Sequence, residues 1–282
     1  MAEPFSSPHL LSALVCGGLS FLAAKILAGP FCELLSRGSV AAPNYKGDVI
    51  PAAAGIVVPL ASFLPLALAG PGEGAALWLF SLFGMGTLGL LDDVAGKGEH
   101  GGFSGHIREL GRGRLTTGGA KALFGGAIAL YAASALHDGA VASFVAAGLI
   151  ALSANAVNLL DVRPGRAIKG ALVLYAVGLG ALAAFGSPFP WAGRNAALAC
   201  APLGAGIALL RGDLKARYMI GDSGSNALGF GAGMLLASLP VPAQAAALFV
   251  LLGLHALAER RSLTELISKT PALRWLDEIG RR

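Results

Sequence analysis

The stretch VASFVAAGLIALSANAVNLLDVRPG, residues 141–165, begins as uninterrupted oil and ends in two amides, a carboxylate and an arginine. In water the apolar part is a core helix and its polar ending an ordinary cap. In a bilayer the ending is a place where the chain meets water and can do chemistry. Composition decides which solvent applies. Of 282 residues, 55% are hydrophobic and only 13% charged, far below the roughly 25% charged content of soluble domains.

Apolar stretches recur at about 8–28, 50–70, 74–91, 119–136, 141–160, 168–185, 195–210, 223–239 and 243–258. Several are shorter than the about 20 residues that a spanning helix needs. Reading each as a span predicts an all-α polytopic membrane protein, one domain over residues 1–282, with about nine transmembrane helices. A C-terminal amphipathic helix follows within 259–282, with Leu273, Trp275, Leu276 and Ile279 toward lipid and Arg274, Arg281 and Arg282 toward headgroups. The opening MAEPFSSPH carries an acid and no Lys or Arg, unlike the positive start of a signal peptide, so the first span is read as retained. Cys16, Cys32 and Cys200 lie in or beside apolar spans at no metal-ligand spacing and give no disulfide framework.

Cytoplasmic loops are enriched in Lys and Arg. If the N-terminus lies outside, all 21 basic residues except Lys25, in the first span, and Arg194 fall on the inner side. The net charge of +5 reflects this bias. It suits anionic headgroups or phosphorylated substrates and makes no case for nucleic acid. The inner segments, about 29–49, 92–118 and 259–282, are also the longest.

On this topology three distant segments deliver four carboxylates to one membrane face. GTLGLLDDV puts Asp92 and Asp93 at the inner end of the third span, NAVNLLD puts Asp161 at the end of the fifth, and MIGDSGSNALG puts Asp222 at the start of the eighth. Asp92 and Asp93 mark where water begins, or else share a proton or a divalent cation. Asn155, Asn158 and Asp161, spaced i, i+3, i+6, form one stripe within two helical turns. The stripe is either an interhelical seam or a set of ligands for a nucleotide or metal-bound water. Arg163 and Arg166 add donors suited to phosphate. Asp222 or Ser223 caps the eighth helix, or the helix start holds an anion. Hard oxygen ligands that leave room for water favour Mg²⁺, or Mn²⁺, over zinc.

In this order the segments resemble the polyprenyl-phosphate N-acetylhexosamine-1-phosphate transferases, integral membrane enzymes that start peptidoglycan lipid intermediates, wall teichoic acid and O-antigen. The likeness covers about residues 44–230: NYKGDVIPAAAGI, LLDDV, RLTTGGAKALFG, NAVNLLD and GDSGSNALG are similar to the family's motifs. The resemblance implies Mg²⁺-dependent transfer of a sugar-1-phosphate from a nucleotide sugar, by preference a uridine diphosphate sugar, to polyprenyl phosphate at the inner face of a bacterial cytoplasmic membrane. It also implies release of a nucleoside monophosphate, and homodimers occur in the family. Asp92 would be the base, Asp93 and Asp222 would hold the metal or its waters, and Lys121 would contact phosphate. Asn155, Asn158 and Asp161 would line the donor pocket, Lys46 would lie at its rim, and Ser223 would face the ligand at the helix start.

Two departures from the family pattern stand out. The usual Asp-Gly-x-Asp-Gly continuation reads Asp161, Val162, Arg163, Pro164, Gly165, so Pro164 stands where the second acid belongs. The clustered histidines before the last span are absent; His255 is read as packed at a helix end, and His100 and His106 as facing water. Pro164 also predicts a sharp turn that presents Arg163 to the cytoplasmic pocket. Two other readings remain. An ion- or proton-coupled transporter places its acids near the midplane on interrupted helices. A silent relative would bind lipid phosphate without turnover.

Overall fold

The computed structural model describes residues 6–38, 40–69, 73–96, 109, 112–113 and 116–281. Helix α1 (Ser7–Arg37) leads into an antiparallel hairpin of β1 (Ala41–Pro43) and β2 (Val49–Pro51), then a 3-10 turn (Ala54–Ile56) and α2 (Val57–Leu68). There follow α3 (Glu73–Ala95), α4 (Thr117–Ser134), α5 (Ala140–Leu159), α6 (Arg166–Phe185), α7 (Ala192–Leu214), α8 (Gly221–Leu236) and α9 (Val241–Arg260). Two short helices, α10 (Leu263–Lys269) and α11 (Pro271–Glu278), end the chain.

The chain is an all-α membrane protein. Among the described residues six helices, α1, α3, α5, α6, α7 and α9, are long and apolar enough to cross a bilayer. The expected count of nine is not confirmed. The other three expected spans are also helical, but α2 has 12 residues and α8 has 16. Helix α4, with 18 residues, carries Lys121 in its second turn. The first span is longer than expected. The segment beyond residue 28, read as loop, stays helical through Pro30 to Arg37, because a proline interrupts only one turn's hydrogen bonding.

Helix α8 is the axis of the bundle. Every residue from Ser223 to Leu236 is buried, and α3, α5, α6 and α7 all pack on it. Its sequence, GDSGSNALGFGAGMLL, explains why. With no hydrophobic drive between helices in lipid, close approach depends on small residues. A Cβ on Gly229 would sit 2.5 Å from the Ser153 carbonyl oxygen, and one on Gly233 would sit 2.6 Å from Ile150 Cα. These two glycines, one turn apart, let α8 lie directly on the backbone of α5.

A buried helix has no solvent to satisfy its terminal carbonyls, so side chains must do it. At the C-terminal end of α8, Asn195 Nδ2 donates to the Met234 carbonyl at 2.8 Å and to Ser238 Oγ at 2.7 Å. Trp78 Nε1 donates to Asn195 Oδ1 at 2.7 Å, which fixes the amide's orientation. Gln244 Nε2 donates to the carbonyls of Ala237 and Leu239, and Ser187 Oγ to that of Ser238.

In the C-terminal pair Leu273, Arg274, Trp275, Leu276 and Ile279 are exposed. Arg281 departs from expectation. It turns inward, its Nε donating to the Pro164 carbonyl at 2.8 Å and its guanidinium pairing with Asp277. Arg282 lies outside the described residues.

Asp138 and Lys215 are exposed at opposite ends of the bundle. In a background lacking the three native cysteines, Asp138→Cys is expected to react with a membrane-impermeant maleimide on intact cells and Lys215→Cys only after lysis. The reverse pattern contradicts the inward placement of the acids.

Candidate active site at one end of the bundle

The start of α8 organises the site. A helix N-terminus presents unpaired N–H groups and partial positive charge, which favours an anion. Here that anion is supplied by the chain itself. Asp93, near the end of α3, accepts the Asp222 N–H on Oδ1 at 2.8 Å and the Ser223 N–H on Oδ2 at 3.0 Å. Gly221 turns the chain into the helix at φ +64°, and a Cβ there would lie 2.6 Å from the Asp93 carboxylate oxygens. The anion site expected at GDSGSNALG is thus filled by Asp93, while Ser223 turns inward, its Oγ donating to the carbonyls of Ala53 and Ile220.

Asp222 projects from the first turn of α8 into a second cluster. Lys121 Nζ donates to Asp222 Oδ2 in a short contact and to Asp92 Oδ2 at 3.0 Å, bridging two carboxylates from different helices. Asn158 Nδ2 reaches the same Asp222 oxygen at 3.2 Å, and Ser225 Oγ donates to Asn158 Oδ1 at 2.9 Å. This second bond sets which end of the Asn158 amide faces Asp222. Thr117 adds a hydrogen bond to Asp92. The side chains of Lys121, Asp92 and Asp222 keep 20%, 21% and 23% exposure, so the cluster is open to a ligand on one side.

Asp161 lies beyond the stripe predicted for it. Helix α5 ends at Leu159, two residues earlier, and Asp161 sits in the turn that follows. Its backbone N–H still bonds the Asn158 carbonyl at 2.9 Å. Its carboxylate accepts a hydrogen bond from Gly221. Burial first, then the neighbouring carboxylates of Asp213, Asp222 and Asp93, push its pKa well above the usual range and favour the protonated form. Asn155 stands one turn before Asn158, half-buried. Asp213, on α7, was not singled out from sequence. Its Oδ2 accepts the Gly165 N–H at 2.7 Å and so fixes the far end of the same turn.

The rim is basic and aromatic. Tyr45, at the tip of the β1–β2 hairpin, has Lys46 Nζ 5.5 Å from its ring centroid and Arg163 Cζ at 5.4 Å. The turn at Pro164 therefore forms as expected and leaves Arg163 exposed, above the tyrosine ring. Backbone bonds hold the hairpin to the site: Met219 N–H to the Pro51 carbonyl, and Ala54 and Gly55 N–H to the carbonyls of Met219 and Ile220, each at 2.9 Å. The structure thus brings Asp92, Asp93, Lys121, Asn158, Asp161 and Asp222 together, with Lys46 and Arg163 paired at the edge. Arg166 does not join them. Expected as a phosphate donor, it is buried and committed to Asp277 and Thr264. His255 bonds the Leu251 carbonyl of its own helix through Nδ1 at 2.7 Å. Lys97, His100, His106, Arg108 and Arg114 lie outside the described residues.

Among the described residues no three His, Cys, Asp or Glu side chains converge closely enough to cage a metal ion. The cation between Asp92 and Asp222 is the Lys121 ammonium. This donor set fits Mg²⁺ in its usual mode, through one or two carboxylates, retained waters and substrate phosphate oxygens. No protein-family model matches the chain, and no curated protein matches it in sequence.

Because Asp93 completes a buried helix start, Asp93→Ala is expected to lower stability in detergent by about 1–3 kcal/mol, the usual range for buried donors left unpaired. Asp92→Ala, which leaves no backbone group unpaired, is expected to cost clearly less. Thermal unfolding of both variants measures the difference, and equal melting temperatures contradict a capping role.

Proposed function

We propose that the chain is a divergent polyprenyl-phosphate sugar-1-phosphate transferase, acting at the cytoplasmic face of a bacterial cytoplasmic membrane. The observation that carries this reading is the lysine bridge. Acids from α3 and α8 are held around one ammonium, with an oriented amide beside them, at the end of a membrane bundle. Phosphoryl transfer between two anions needs positioning and charge neutralisation above all, and this cluster offers both where a lipid phosphate can reach it.

In this reading an oxygen of the lipid phosphate attacks the β-phosphorus of the nucleotide sugar. The bond from that phosphorus to the bridging oxygen breaks, and a nucleoside monophosphate leaves with the oxygen. Asp92, steered by Lys121 and Thr117, takes the lipid phosphate's proton. Lys121 moves from its carboxylate partners to the phosphate oxygens. Asp222 and Asp93 are the residues that would hold a Mg²⁺ ion, and the chemistry it would supply is further neutralisation of the diphosphate. Asn158 keeps Asp222 in place, and Asn155 and Asp161 face the donor. Tyr45, Lys46 and Arg163 form its basic edge. A coupled transporter is the second class with acids in a membrane, but these acids cluster at helix ends rather than on an interrupted helix, which favours the enzyme.

Purified protein with polyprenyl phosphate, Mg²⁺ and nucleotide sugars labelled in the sugar is expected to yield labelled lipid. Asp92→Asn, Lys121→Met and Asp222→Asn should each lower turnover by about a hundredfold or more, and Asp222→Asn should raise the Mg²⁺ needed for half activity. Absence of labelled lipid with every donor, while lipid phosphate still binds, identifies a silent relative instead.

Since Pro164 removes an acceptor and Arg163 adds a cation, the nucleotide preference is expected to be relaxed or shifted from uridine. Arg163→Ala should raise the donor KM more than the lipid KM. Strict uridine selectivity with an unchanged donor KM in Arg163→Ala contradicts this role.

A further inference from the structure

Helix α11 (Pro271–Glu278) is exposed at every residue except Asp277. Apolar burial within the protein therefore does not hold it. What holds it is an ion cluster reaching across more than a hundred residues of sequence. Arg166, at the start of α6, donates from Nε to Asp277 Oδ1 and from Nη2 to Oδ2, both at 2.8 Å. Arg281 donates to the same carboxylate, at 2.9 Å from Nη1 to Oδ2 and also from Nη2 to Oδ1. The side chains of Arg166, Asp277 and Arg281 are only 7%, 10% and 17% exposed. Lys169 Nζ adds three bonds to the carbonyls of Leu276, Asp277 and Ile279.

The cluster touches the turn that carries Asp161 and Arg163. Arg281 Nε bonds the Pro164 carbonyl at 2.8 Å, while Asp213 holds the neighbouring Gly165 N–H. Leu214 fills the space between the turn and the tail: Cβ atoms on Gly165 and Gly280 would meet its methyl groups at 2.3 and 3.0 Å. Arg166 is itself the first residue of α6, directly after the turn. The two guanidiniums bond Asp277 as their one carboxylate partner among the described hydrogen bonds, and the Lys169 ammonium, held on the main-chain carbonyl of Asp277, also feels its charge. Removing its charge leaves three cations facing one another at the end of the turn.

We infer that Asp277 is a positioning residue, and that the C-terminal segment 263–281 is a strap that fixes the Asp161–Gly165 turn beneath the candidate site. The strap acts through Arg166 at one end of the turn and Arg281 at Pro164. Its outer face, with Leu273, Trp275, Leu276 and Ile279, meets the bilayer surface, so seating in lipid and order at the turn are one event. The inference deepens the proposed function by naming what positions its donor-facing turn, but its structural half stands without turnover.

The test is hydrogen exchange on full-length protein in nanodiscs containing anionic lipid, with Asp277→Asn, Asp277→Glu and Arg281→Gln. Amides of residues 160–166 are expected to exchange at least tenfold faster in Asp277→Asn, with residues 141–157 and 223–236 unchanged. Arg281→Gln should give a smaller increase at the same amides, and Asp277→Glu should restore most of the protection. No change at 160–166, or equal loosening throughout α5 and α8, overturns the strap. If turnover is established, Asp277→Asn should raise the donor KM and leave the lipid KM within twofold. Altered exchange without any transferase activity would leave the strap standing and remove the proposed reaction.

Discussion

A helix surrounded by protein inside a membrane has neither water nor lipid headgroups to complete the hydrogen bonds at its ends. Helix α8, Gly221–Leu236, is such a helix, and the rest of the bundle is arranged around that constraint. Its C-terminal carbonyls are met by Asn195, Gln244 and Ser187, drawn from three other segments. Its N-terminal amides are met by two carboxylates, Asp93 at Asp222 and Ser223 and Asp161 at Gly221. Because Asp93 is spent on the backbone, the adjacent Asp92 and the first-turn Asp222 are left to face each other across Lys121. The candidate site is in this sense a by-product of capping: the same helix end that must be satisfied also aims Asp222 outward.

Charge accounts for the remainder of the site. Burial raises the pKa of Asp161, the nearby carboxylates of Asp213, Asp222 and Asp93 raise it further, and Lys121 is the cation that bonds Asp92 and Asp222. A centre with this excess of carboxylates favours protonation of part of the set. The basic residues that would meet an anionic substrate stand apart from it, on the Tyr45 rim. Separating the two signs prevents the rim cations from collapsing onto the acids. On the opposite flank Asp277 gathers Arg166 and Arg281, and its carboxyl is held at about 2, chiefly by hydrogen bonds and attraction from these two guanidiniums against the effect of burial. Stability from this depressed carboxyl is present above its ordinary value near 4 and is lost as pH falls toward 2.

Much of this was legible in the chain. Apolar runs and the placement of basic residues led to a helical membrane protein, and three motifs led to carboxylates at one end of it. The individual duties were less legible. Adjacent Asp92 and Asp93 read alike, yet one faces a lysine and the other a helix start, a distinction set by the rotation of α3 against α8. The i, i+3, i+6 spacing suggested one helical stripe through Asp161, but the turn required before Pro164 begins at Leu160 and carries Asp161 off the helix. Arg166 looked like a free donor because its partner, Asp277, is 111 positions away. The length of α8 fell below a full span because a helix enclosed by others need not match the bilayer's thickness, whereas α2 is also short, at 12 residues, yet exposes Phe63, Leu64 and Leu68.

The central claim is that this cluster transfers a phosphorylated sugar, and the fate of one atom tests it most directly. With a nucleotide diphosphate sugar labelled at the β-phosphorus, polyprenyl phosphate and Mg²⁺, the account predicts that label enters the lipid fraction in step with release of unlabelled nucleoside monophosphate. It also predicts that added nucleoside monophosphate drives the label back into the nucleotide sugar. Label that stays in the aqueous phase as nucleoside diphosphate, or that never leaves the donor while the lipid remains bound, contradicts it.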